Sequence, residues 1–374
     1  MKYFLVAGEA SGDLHASNLM KGILKADPEA SFKFAGGNLM QSVYPGLLRH
    51  YRETNFMMLE AVLNIRKILK HIREIKRGMI AFNADVNILV DYPGVNLRLA
   101  RFAKLRGMRL FYYITPTVWA WKRSRVRTLK HYTDRRFVIF PFEVEFLGEN
   151  GVEAEFHGNP LMDAIERYKE SAIPADQFFE QEGLDSRPIV ALLTGSRKQE
   201  IDKLLPAMIK VAERYRDFQF VIAGSPSVPL DYYRHLIGNH EVRLVYNRTY
   251  DLLAGACAGI ITSGTATLET ALFNLPQVVI YRTNPAAFRI ARRLVNIKFI
   301  SQVNLIYGGE LVKEVLQFNL YERVADELSR LLYDNDYRSN ILEGYKIIKD
   351  KLGMPGVSDR LGRRMVELIK NNRI

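Results

Sequence analysis

The sequence predicts an α/β protein of two Rossmann-like halves, each a doubly wound parallel sheet, that face one another across a cleft. Short apolar runs alternate with helix-period segments twice along the chain, which is typical of parallel sheets covered by helices. A polar, helical stretch from about 160 to 188 separates the two sets and contains no predicted strand. The 374 residues also exceed what one hydrophobic core usually serves.

Each half has its own series of predicted strands, read from runs of four to six mostly apolar residues. In the first half these are Tyr3–Ala7, Phe32–Ala35, Val86–Val90, Arg109–Ile114, Phe137–Phe140 and Glu153–Phe156. In the second half they are Ile189–Leu193, Phe218–Ala223, Val242–Val245, Ala258–Ile261 and Val278–Tyr281. We place the halves at residues 1–165 and 186–345, and we expect a C-terminal helix within 350–374 to pack back on the first half.

Composition narrows the class of protein. Cys257 is the only cysteine, which excludes an intramolecular disulfide framework and fits a reducing cytosol. About five apolar residues precede Gly8, too few for a signal peptide or a membrane span. The net charge of +12 predicts an anionic partner, which leaves nucleic acid, nucleotide phosphates and an acidic membrane surface as candidates.

The stretch from Gly259 to Leu272 predicts an anion site. An apolar strand meets the turn Ser263-Gly264-Thr265, and a helix-period pattern follows. The first N–H groups of a helix lack intrahelical partners and carry partial positive charge, so such a corner suits a phosphate. Glu269 lies about four residues into that helix, roughly 6 Å along its axis, which suits ribose hydroxyls. A plain strand–loop–helix corner with a solvated Glu remains the alternative.

The first strand ends in a similar turn, Gly8–Asp13, whose letters are Gly-Glu-Ala-Ser-Gly-Asp. Its glycines permit tight backbone turns, and Ser11 or Asp13 can cap the helix that runs to about Lys25. The turn lacks the G-x-G-x-x-G spacing of dinucleotide-binding proteins. We assign to the cleft its residues Gly8, Glu9, Ser11 and Gly12.

Asp91 is the candidate general base. It stands at the carboxyl end of the strand Val86–Val90, where open α/β sheets bind ligands, and it could accept the proton of an attacking hydroxyl. The alternative is a helix cap, since Pro93 and Gly94 mark a turn before a helix. His15, on the first helix, is the second candidate for the base.

Gly195-Ser196-Arg197 follows the first strand of the second half. Arg197 could contact a diphosphate with two hydrogen bonds, whereas the alternative is a solvated arginine in a first helical turn. The motif is not a Walker A loop, because G-x-x-x-x-G-K is missing.

Two other patterns carry less chemistry. Aromatic residues at 112–121 precede basic residues at 122–130, but no RNP, helix-turn-helix or zinc pattern accompanies them, so we predict no nucleic-acid partner. The histidines are scattered, and Asp334-Asn-Asp336 is typical of a turn and cap between helices. We therefore predict no metal site, and no G-x-S-x-G nucleophile elbow is present.

A basic, apolar segment from Phe56 to Arg77 lies between the second and third predicted strands. Its basic side chains and its apolar entrance could hold the protein reversibly on an anionic membrane, and a core-packed helix with a solvated face is the alternative. Val62, Ile65, Leu69 and Ile72 fall on one face of the predicted helix. The residues we assign to membrane or acyl-chain contact are Phe56, Met57, Met58, Leu59, Val62, Ile65 and Leu69.

Taken together, several stretches resemble one family, lipid-A-disaccharide synthase. They run in the family's order over nearly the whole chain, and the Gly8–Asp13 and Tyr113–Trp121 stretches are the most specific. The others are Asp91–Asn96, Pro141–Glu143, His157–Leu161, Gly195–Arg197, Ser263–Glu269, Gln302–Leu305 and Glu310–Gln317.

The resemblance implies a GT-B glycosyltransferase that acts from the cytoplasmic surface of the inner membrane as a peripheral protein. Such an enzyme joins UDP-2,3-diacylglucosamine, the donor, to 2,3-diacylglucosamine 1-phosphate, the acceptor. It releases UDP, inverts the anomeric centre and uses neither an essential metal nor a cofactor. Oligomeric state stays open, a homodimer included.

The resemblance also implies residue roles. Asp91 resembles the family's acidic catalytic residue, and Arg197 and Asn304 resemble its required polar residues. Many members carry an acid where this chain has Gly94, so Asp91 would have to act alone if that acid matters. The predicted donor site comprises Gly195, Ser196, Arg197, Ser263, Gly264, Thr265, Ala266, Glu269 and Tyr281.

Two alternatives stay open. One is a different UDP-sugar enzyme of this fold, either a lipid-linked N-acetylglucosaminyl transferase or a UDP-sugar 2-epimerase. The basic, apolar segment counts against the epimerase, which needs no lipid-binding surface. The other is a basic RNA- or membrane-binding module in which the two halves serve as a scaffold.

Overall fold

The computed structural model describes residues 1–53, 65–117, 124–286, 288–289 and 298–371, without the side chains of Ile65 and Ser124. The chain divides into two compact units, Met1–Asp163 with Leu352–Ile374, and Ala164–Lys351.

The first unit contains a seven-stranded sheet in the order β3-β2-β1-β4-β5-β6-β7, and every neighbouring pair is parallel. Its strands are β1 Lys2–Ala7, β2 Ser31–Gly36, β3 Leu47–His50, β4 Val86–Val90, β5 Leu110–Tyr113, β6 Arg135–Val138 and β7 Glu155–Phe156.

The second unit contains a six-stranded parallel sheet in the order β10-β9-β8-β11-β12-β13. Its strands are β8 Ile189–Leu193, β9 Gln219–Gly224, β10 Arg243–Tyr246, β11 Ala258–Thr262, β12 Gln277–Tyr281 and β13 Glu314–Leu316. The predicted pair of parallel-sheet halves is confirmed.

Helices connect the strands. In chain order they are α1 Ala10–Ala26, α2 Asn38–Val43, α3 Ile65–Phe82, α4 Pro93–Lys104, α5 Ser124–Tyr132, α6 Pro141–Glu149, α7 Leu161–Ser171, α8 Ala175–Gln181, α9 Lys198–Ala212, α10 Leu230–Ile237, α11 Thr249–Gly255, α12 Thr265–Leu272, α13 Gln302–Tyr307, α14 Leu320–Tyr333, α15 Asn335–Leu352 and α16 Val357–Lys370, with a 3-10 turn at Tyr51–Glu53.

β1 shows why the central strands read as continuous apolar runs. Successive side chains point to opposite faces of a sheet, and helices cover both faces here. Tyr3, Leu5 and Ala7 belong to one core cluster, which includes residues of α1 and α16. Phe4 and Val6 belong to the other, which includes residues of α3 and α4.

The C-terminal helix α16 is part of the first unit. Leu361, Met365 and Val366 are buried in the same core cluster as α1. Gly22 of α1 lies so close to α16 that a Cβ atom there would be 2.1 Å from the carbonyl oxygen of Ser358. The backbones of the two helices therefore meet with no side chain between them.

Asp163 fixes the start of α16. Its carboxylate accepts hydrogen bonds from the backbone N–H groups of Gly356 (2.6 Å), Val357 (2.9 Å) and Ser358 (3.0 Å). It also accepts one from the Ser358 hydroxyl at 2.9 Å. Three otherwise unpaired helix N–H groups are satisfied by one buried carboxylate, whose charge also suits the helix dipole.

Two strands that the sequence analysis missed lie at sheet edges. β3 has four residues, all half-buried, and β13 has three. An edge strand pairs on one side only and needs no long apolar run, so the pattern that identifies the central strands is absent.

Candidate functional site

Glu9 and Asp91 lie side by side at the carboxyl edge of the first sheet. β1 and β4 are parallel neighbours, with Ala7 opposite Val90. Glu9 follows β1 by two residues and Asp91 follows β4 directly. Two carboxyl groups are thereby brought to the edge where such sheets bind ligands.

The turn after β4 is strained. Asp91 and Tyr92 have φ angles of +48° and +47°, a left-handed conformation that residues other than glycine adopt infrequently. Gly8 makes room for this turn, because a Cβ atom at Gly8 would lie 2.0 Å from the ring of Tyr92. Such strain persists only where the surroundings hold it, and it is common at functional sites.

Three hydrogen bonds hold the backbone of Asp91. Its carbonyl oxygen accepts from the Tyr112 hydroxyl at 2.7 Å and from Nδ2 of Asn96 at 2.7 Å. Its N–H donates to the carbonyl of Tyr113 at 2.9 Å. Asn96 is completely buried and also donates to the Val90 carbonyl at 3.1 Å. The main chain of Asp91 is therefore fixed by both α4 and β5.

The carboxyl group of Asp91 has an altered acidity. Burial, and after it the negative charge of the neighbouring Glu9 carboxyl, together raise the pKa of Asp91 from 3.8 to about 6. The shift follows because burial and a nearby negative charge both disfavour the carboxylate. His15, the second candidate for the base, is half-buried on α1.

The predicted capping of α1 by Ser11 or Asp13 is wrong. The helix begins at Ala10, so both residues lie inside it, and Glu9 occupies the cap position without a side-chain hydrogen bond. The buried Asp13 carboxylate instead accepts from three N–H groups of the α2 start, at 2.8–3.2 Å. Those donors belong to Gly37, Leu39 and Met40.

In the second unit, three neighbouring strands bring most of the predicted donor residues to one sheet edge. β8 pairs with β11, and β11 pairs with β12. Gly195-Ser196-Arg197 follows β8, Ser263-Gly264 follows β11, and Tyr281 ends β12. Residues more than eighty positions apart in sequence therefore emerge side by side.

The turn after β8 gives Arg197 an exposed position. Gly195 has a φ of +99°, where a larger side chain would be strained and would also strike Glu200. Arg197 precedes α9, its side chain is 69% exposed, and its Nη1 donates to Oε1 of Glu200 at 3.0 Å. An exposed ion pair of this kind is weak, so the guanidinium is available to an anionic ligand.

The turn after β11 leads into α12 as the sequence predicts. Gly264 has a φ of +144°, and α12 begins at Thr265. The Ser263 hydroxyl donates to the carbonyl of Ile300 at 3.1 Å, while Thr265 is exposed and Ala266 is half-buried. The first N–H groups of α12 lie at this edge of the sheet and suit an anion.

Glu269 lies on the second turn of α12 and has a partner that the sequence analysis missed. Its Oε1 accepts a hydrogen bond from the Tyr250 hydroxyl at 2.7 Å. Burial raises the pKa of Glu269, and the hydrogen bond from Tyr250 opposes that shift. The sequence around Tyr250 shows only a helical pattern and does not predict this contact, because the contact depends on how α11 and α12 pack.

Asn304 is placed differently from the expectation that it acts on the substrate. It is completely buried, and its Nδ2 donates to the Val312 carbonyl (2.8 Å) and to Oε1 of Glu314 (3.0 Å). Its Oδ1 accepts from the N–H groups of Leu311 (2.9 Å) and Val312 (3.0 Å). With both ends of the amide engaged, Asn304 connects α13 to β13 and has no group left for a substrate.

The predicted membrane segment is described only in part. Phe56, Met57, Met58, Leu59 and Val62 lie outside the described residues, as do residues 118–121 of the aromatic stretch and residues 122–123 of the basic run that follows it. Ile65 begins α3, and its side chain is likewise outside the description.

The described part of α3 corrects the predicted apolar face. Leu69 is 39% exposed, whereas Ile72, Ile75 and Met79 are buried in the core. Leu69 therefore does not share the buried face with Ile72. It lies among exposed basic side chains, which are Arg66, Lys67, Lys70 and Arg73.

No cluster of metal-ligating side chains occurs within the described ranges. At Asp334, Oδ1 accepts from the N–H of Tyr337 at 2.9 Å, so this residue caps α15 as predicted. Among the helices of the described ranges, none combines the length and the apolar character of a membrane span.

Comparison with known proteins identifies the family. A sequence profile described as lipid-A-disaccharide synthetase matches residues 3–352. The lipid-A-disaccharide synthase of Syntrophus aciditrophicus (strain SB) is 36% identical over 378 residues, covering 98% of both chains. That of Geobacter sulfurreducens is 35% identical, covering 98% of this chain and 97% of its own.

A solved structure shows the fold. The S. aureus MnaA–UDP co-structure superposes with a TM-score of 0.69, at 13% identity, over 99% of this chain and 96% of the other. At 13% identity, this structural similarity shows the GT-B fold and nothing about function. The profile match and the full-length relatives show the family: the chain belongs to the lipid-A-disaccharide synthase family of glycosyltransferases.

Proposed function

We propose that this chain joins UDP-2,3-diacylglucosamine to 2,3-diacylglucosamine 1-phosphate, forming a β-1,6-linked disaccharide 1-phosphate and UDP. The 6-hydroxyl oxygen of the acceptor attacks the anomeric carbon of the donor, the bond from that carbon to the diphosphate breaks, and the configuration inverts. The hydroxyl proton passes to Asp91, and the electron pair of the broken bond leaves with UDP. Family membership supports the reaction.

The observation that carries the mechanism is the environment of Asp91. Its strained backbone is fixed through the carbonyl and N–H groups, which holds the carboxyl group in place beside Glu9 at the carboxyl edge of the sheet. A pKa of about 6 keeps the carboxylate ionised at neutral pH and makes it a stronger base than an ordinary aspartate. A catalytic base is most effective when its pKa lies close to the working pH.

Glu9 is the second carboxyl of this site. Gly94 supplies none, so Glu9 is the neighbouring carboxyl whose charge adds to burial in raising the pKa of Asp91. We assign to Glu9 the task of keeping Asp91 basic. We place Gly8, before α1, and Ser11 and Gly12, in the first turn of α1, beside the reacting groups.

We assign the donor to the second unit. Arg197 and the first N–H groups of α12 provide positive charge where the departing diphosphate gains negative charge, which lowers the barrier to departure. The turns Gly195-Ser196 and Ser263–Ala266 bring the backbone close to the phosphates. Glu269 accepts from the ribose, and Tyr281, 37% exposed at the end of β12, contacts the uracil.

Asn304 acts in this proposal through the structure it supports. Its amide holds the 308–312 loop, and Glu314 binds the N–H groups of Ile300 and Ser301 at 2.9 Å each. The Ile300 carbonyl in turn accepts from Ser263, a donor-site residue. Asn304 is thus a positioning residue rather than a catalytic one.

We propose that the protein binds the cytoplasmic surface of the inner membrane peripherally, through the start of α3. The exposed Leu69 among four exposed basic side chains supports this, since each basic residue near an anionic bilayer contributes about 1 kcal/mol. Leu69→Ser should reduce co-sedimentation with vesicles containing phosphatidylglycerol. Leu105→Ser, at an exposed leucine beside basic residues elsewhere in this unit, is the matched control.

The decisive experiment is product analysis after incubation with both acylated substrates. We expect UDP and the disaccharide 1-phosphate in equal amounts, formed only when the acceptor is present. UDP released without the acceptor, or an epimerised UDP-sugar, would instead establish one of the other UDP-sugar enzymes. Asp91→Asn should lower turnover by about 10²- to 10⁴-fold while UDP affinity stays unchanged.

A further inference from the structure

We propose that Tyr250 is a positioning residue for the donor, holding Glu269 so that its second carboxylate oxygen accepts a ribose hydroxyl. The inference rests on the donor site proposed above and adds to it a residue that contacts no substrate itself.

The contact joins two helices of the second unit. Tyr250 lies at the start of α11 and Glu269 on the second turn of α12, and the hydroxyl donates to Oε1 over 2.7 Å. Across the described part of the chain, no hydrogen bond to the other oxygen, Oε2, is found. One end of the carboxylate is therefore fixed, and the other remains for a ligand.

Aromatic neighbours fix the ring of Tyr250. Its centroid lies 5.5 Å from that of Tyr168, edge to face, and 5.1 Å from that of Phe273. Tyr168 and Phe273 also contact each other, at 5.4 Å. Aromatic pairs at these separations are favourable, so the direction of the Tyr250 hydroxyl is set before a ligand arrives.

The acidities of the pair suit a fixed donor and a charged acceptor. Burial and the adjacent Glu269 carboxylate raise the pKa of Tyr250 well above its usual value, so the phenol stays protonated. Burial also raises the pKa of Glu269, which would weaken it as an acceptor, and the hydrogen bond from Tyr250 counteracts this. Hydrogen bonds that involve a charged group are stronger than neutral ones.

Tyr168 provides a matched control. Its ring belongs to the same aromatic group, but its hydroxyl donates to Oδ1 of Asp251 at 3.0 Å. Removing either hydroxyl disturbs the same packing, yet only the Tyr250 hydroxyl acts on Glu269. A purely structural role for Tyr250 would make the two Tyr→Phe variants alike.

The experiment compares the binding of UDP, 2′-deoxy-UDP and 3′-deoxy-UDP by calorimetry. The deoxy analogues lack one ribose hydroxyl each, so the ratio of their dissociation constants to that of UDP reports the hydroxyl contact. We expect Glu269→Gln to reduce the larger ratio about ten-fold and Tyr250→Phe to reduce it about three- to ten-fold. Tyr168→Phe should leave both ratios unchanged.

Coupling is tested by the double variant. If Tyr250 acts through Glu269, Tyr250→Phe combined with Glu269→Gln should match Glu269→Gln alone within about two-fold. A ratio that falls in Glu269→Gln but not in Tyr250→Phe would overturn the inference and leave the donor site standing. An unchanged ratio in Glu269→Gln would remove the ribose contact from the proposed function itself. Equal weakening of all three nucleotides in both Tyr→Phe variants would show that Tyr250 only supports packing.

Discussion

The carboxyl groups of Glu9 and Asp91 lie next to each other where β1 and β4 end, and the charge of Glu9 adds to burial in raising the pKa of the proposed base. Glu9 follows the central strand β1 by two residues, and Asp91 follows the central strand β4 directly. Their contact is therefore built into the sheet, and it makes the reaction sensitive to pH.

Changing Glu9 should move the pH dependence of the reaction. The rate should rise with pH as Asp91 loses its proton, so kcat/KM should show an acidic limb near pH 6. Glu9→Gln removes a neighbouring negative charge and should shift that limb to lower pH. The measurement is a pH profile of kcat/KM.

Gly94→Asp is the matched control for that profile. A Cβ atom at Gly94 would meet nothing within 4 Å, so the substitution should fold normally in the first turn of α4. The added negative charge should shift the acidic limb to higher pH, opposite to Glu9→Gln. Profiles that move together, or that stay unchanged in both variants, would contradict the assignment of Asp91 as the titrating base.

Asp91→Asn should increase the free energy of unfolding at neutral pH. The pKa of Asp91 is raised from 3.8 to about 6 in the folded protein, so the folded state binds more protons than the unfolded state between these values. Stability therefore falls as pH rises through this window, and the whole penalty is present above it. Removing the charge should recover about 1–2 kcal/mol at pH 7.5 and nothing from this source below pH 4.

Denaturant unfolding of both proteins at pH 4 and pH 7.5 measures that difference. A gain of equal size at both values would trace to the easier left-handed backbone of asparagine instead, since that conformational effect does not depend on pH.

Arg197→Ala should weaken UDP binding by about ten-fold or more and leave uridine binding unchanged, because its guanidinium is assigned to the diphosphate. Calorimetry with both ligands tests this. Arg187→Ala is the control, since Arg187 precedes β8, at the opposite end of the strand from Arg197, and is paired with Asp185 at 2.7 Å. UDP affinity that falls equally in both variants would indicate a general effect of charge.

Asn304→Ala should destabilise the second unit. The change leaves the buried N–H groups of Leu311 and Val312 without an acceptor, which we expect to lower the free energy of unfolding by about 2–4 kcal/mol. Thermal unfolding followed by circular dichroism measures it. A variant that keeps its stability but loses turnover would indicate instead that Asn304 contacts the substrate directly.

Asp163→Ala should destabilise the C-terminal helix, because the carboxylate satisfies three backbone N–H groups at the start of α16. We expect a loss of about 1–2 kcal/mol, detectable as faster proteolysis after α15 and a lower Tm. Asp359→Ala removes an exposed ion pair to Lys25 from the same helix and should change stability by less than about 1 kcal/mol. Equal effects of the two substitutions would contradict the capping role.

Local sequence pattern was sufficient for the central strands and for the turns that follow them. Runs such as Val86–Val90 and Ala258–Ile261 are apolar throughout because both faces of each sheet are covered, and this signal does not depend on distant residues. The position of Asp91 after β4 and of Ser263-Gly264 before α12 follows from the same reading. The edge strands β3 and β13 lack such apolar runs, so the sequence analysis did not predict them.

Residue pattern alone predicts the two parallel-sheet halves, the polar turns at the carboxyl ends of their central strands and the order of the family's motifs. Which side chains meet depends on how the elements pack in the folded protein. In the folded protein Glu9 lies beside Asp91, and the Tyr250 hydroxyl donates to Glu269. Asp13 accepts hydrogen bonds from the start of α2, Leu69 is exposed and Asn304 is buried. The physical reason is that strand and helix periods are local, whereas hydrogen bonds between elements depend on packing that brings distant residues within about 3 Å.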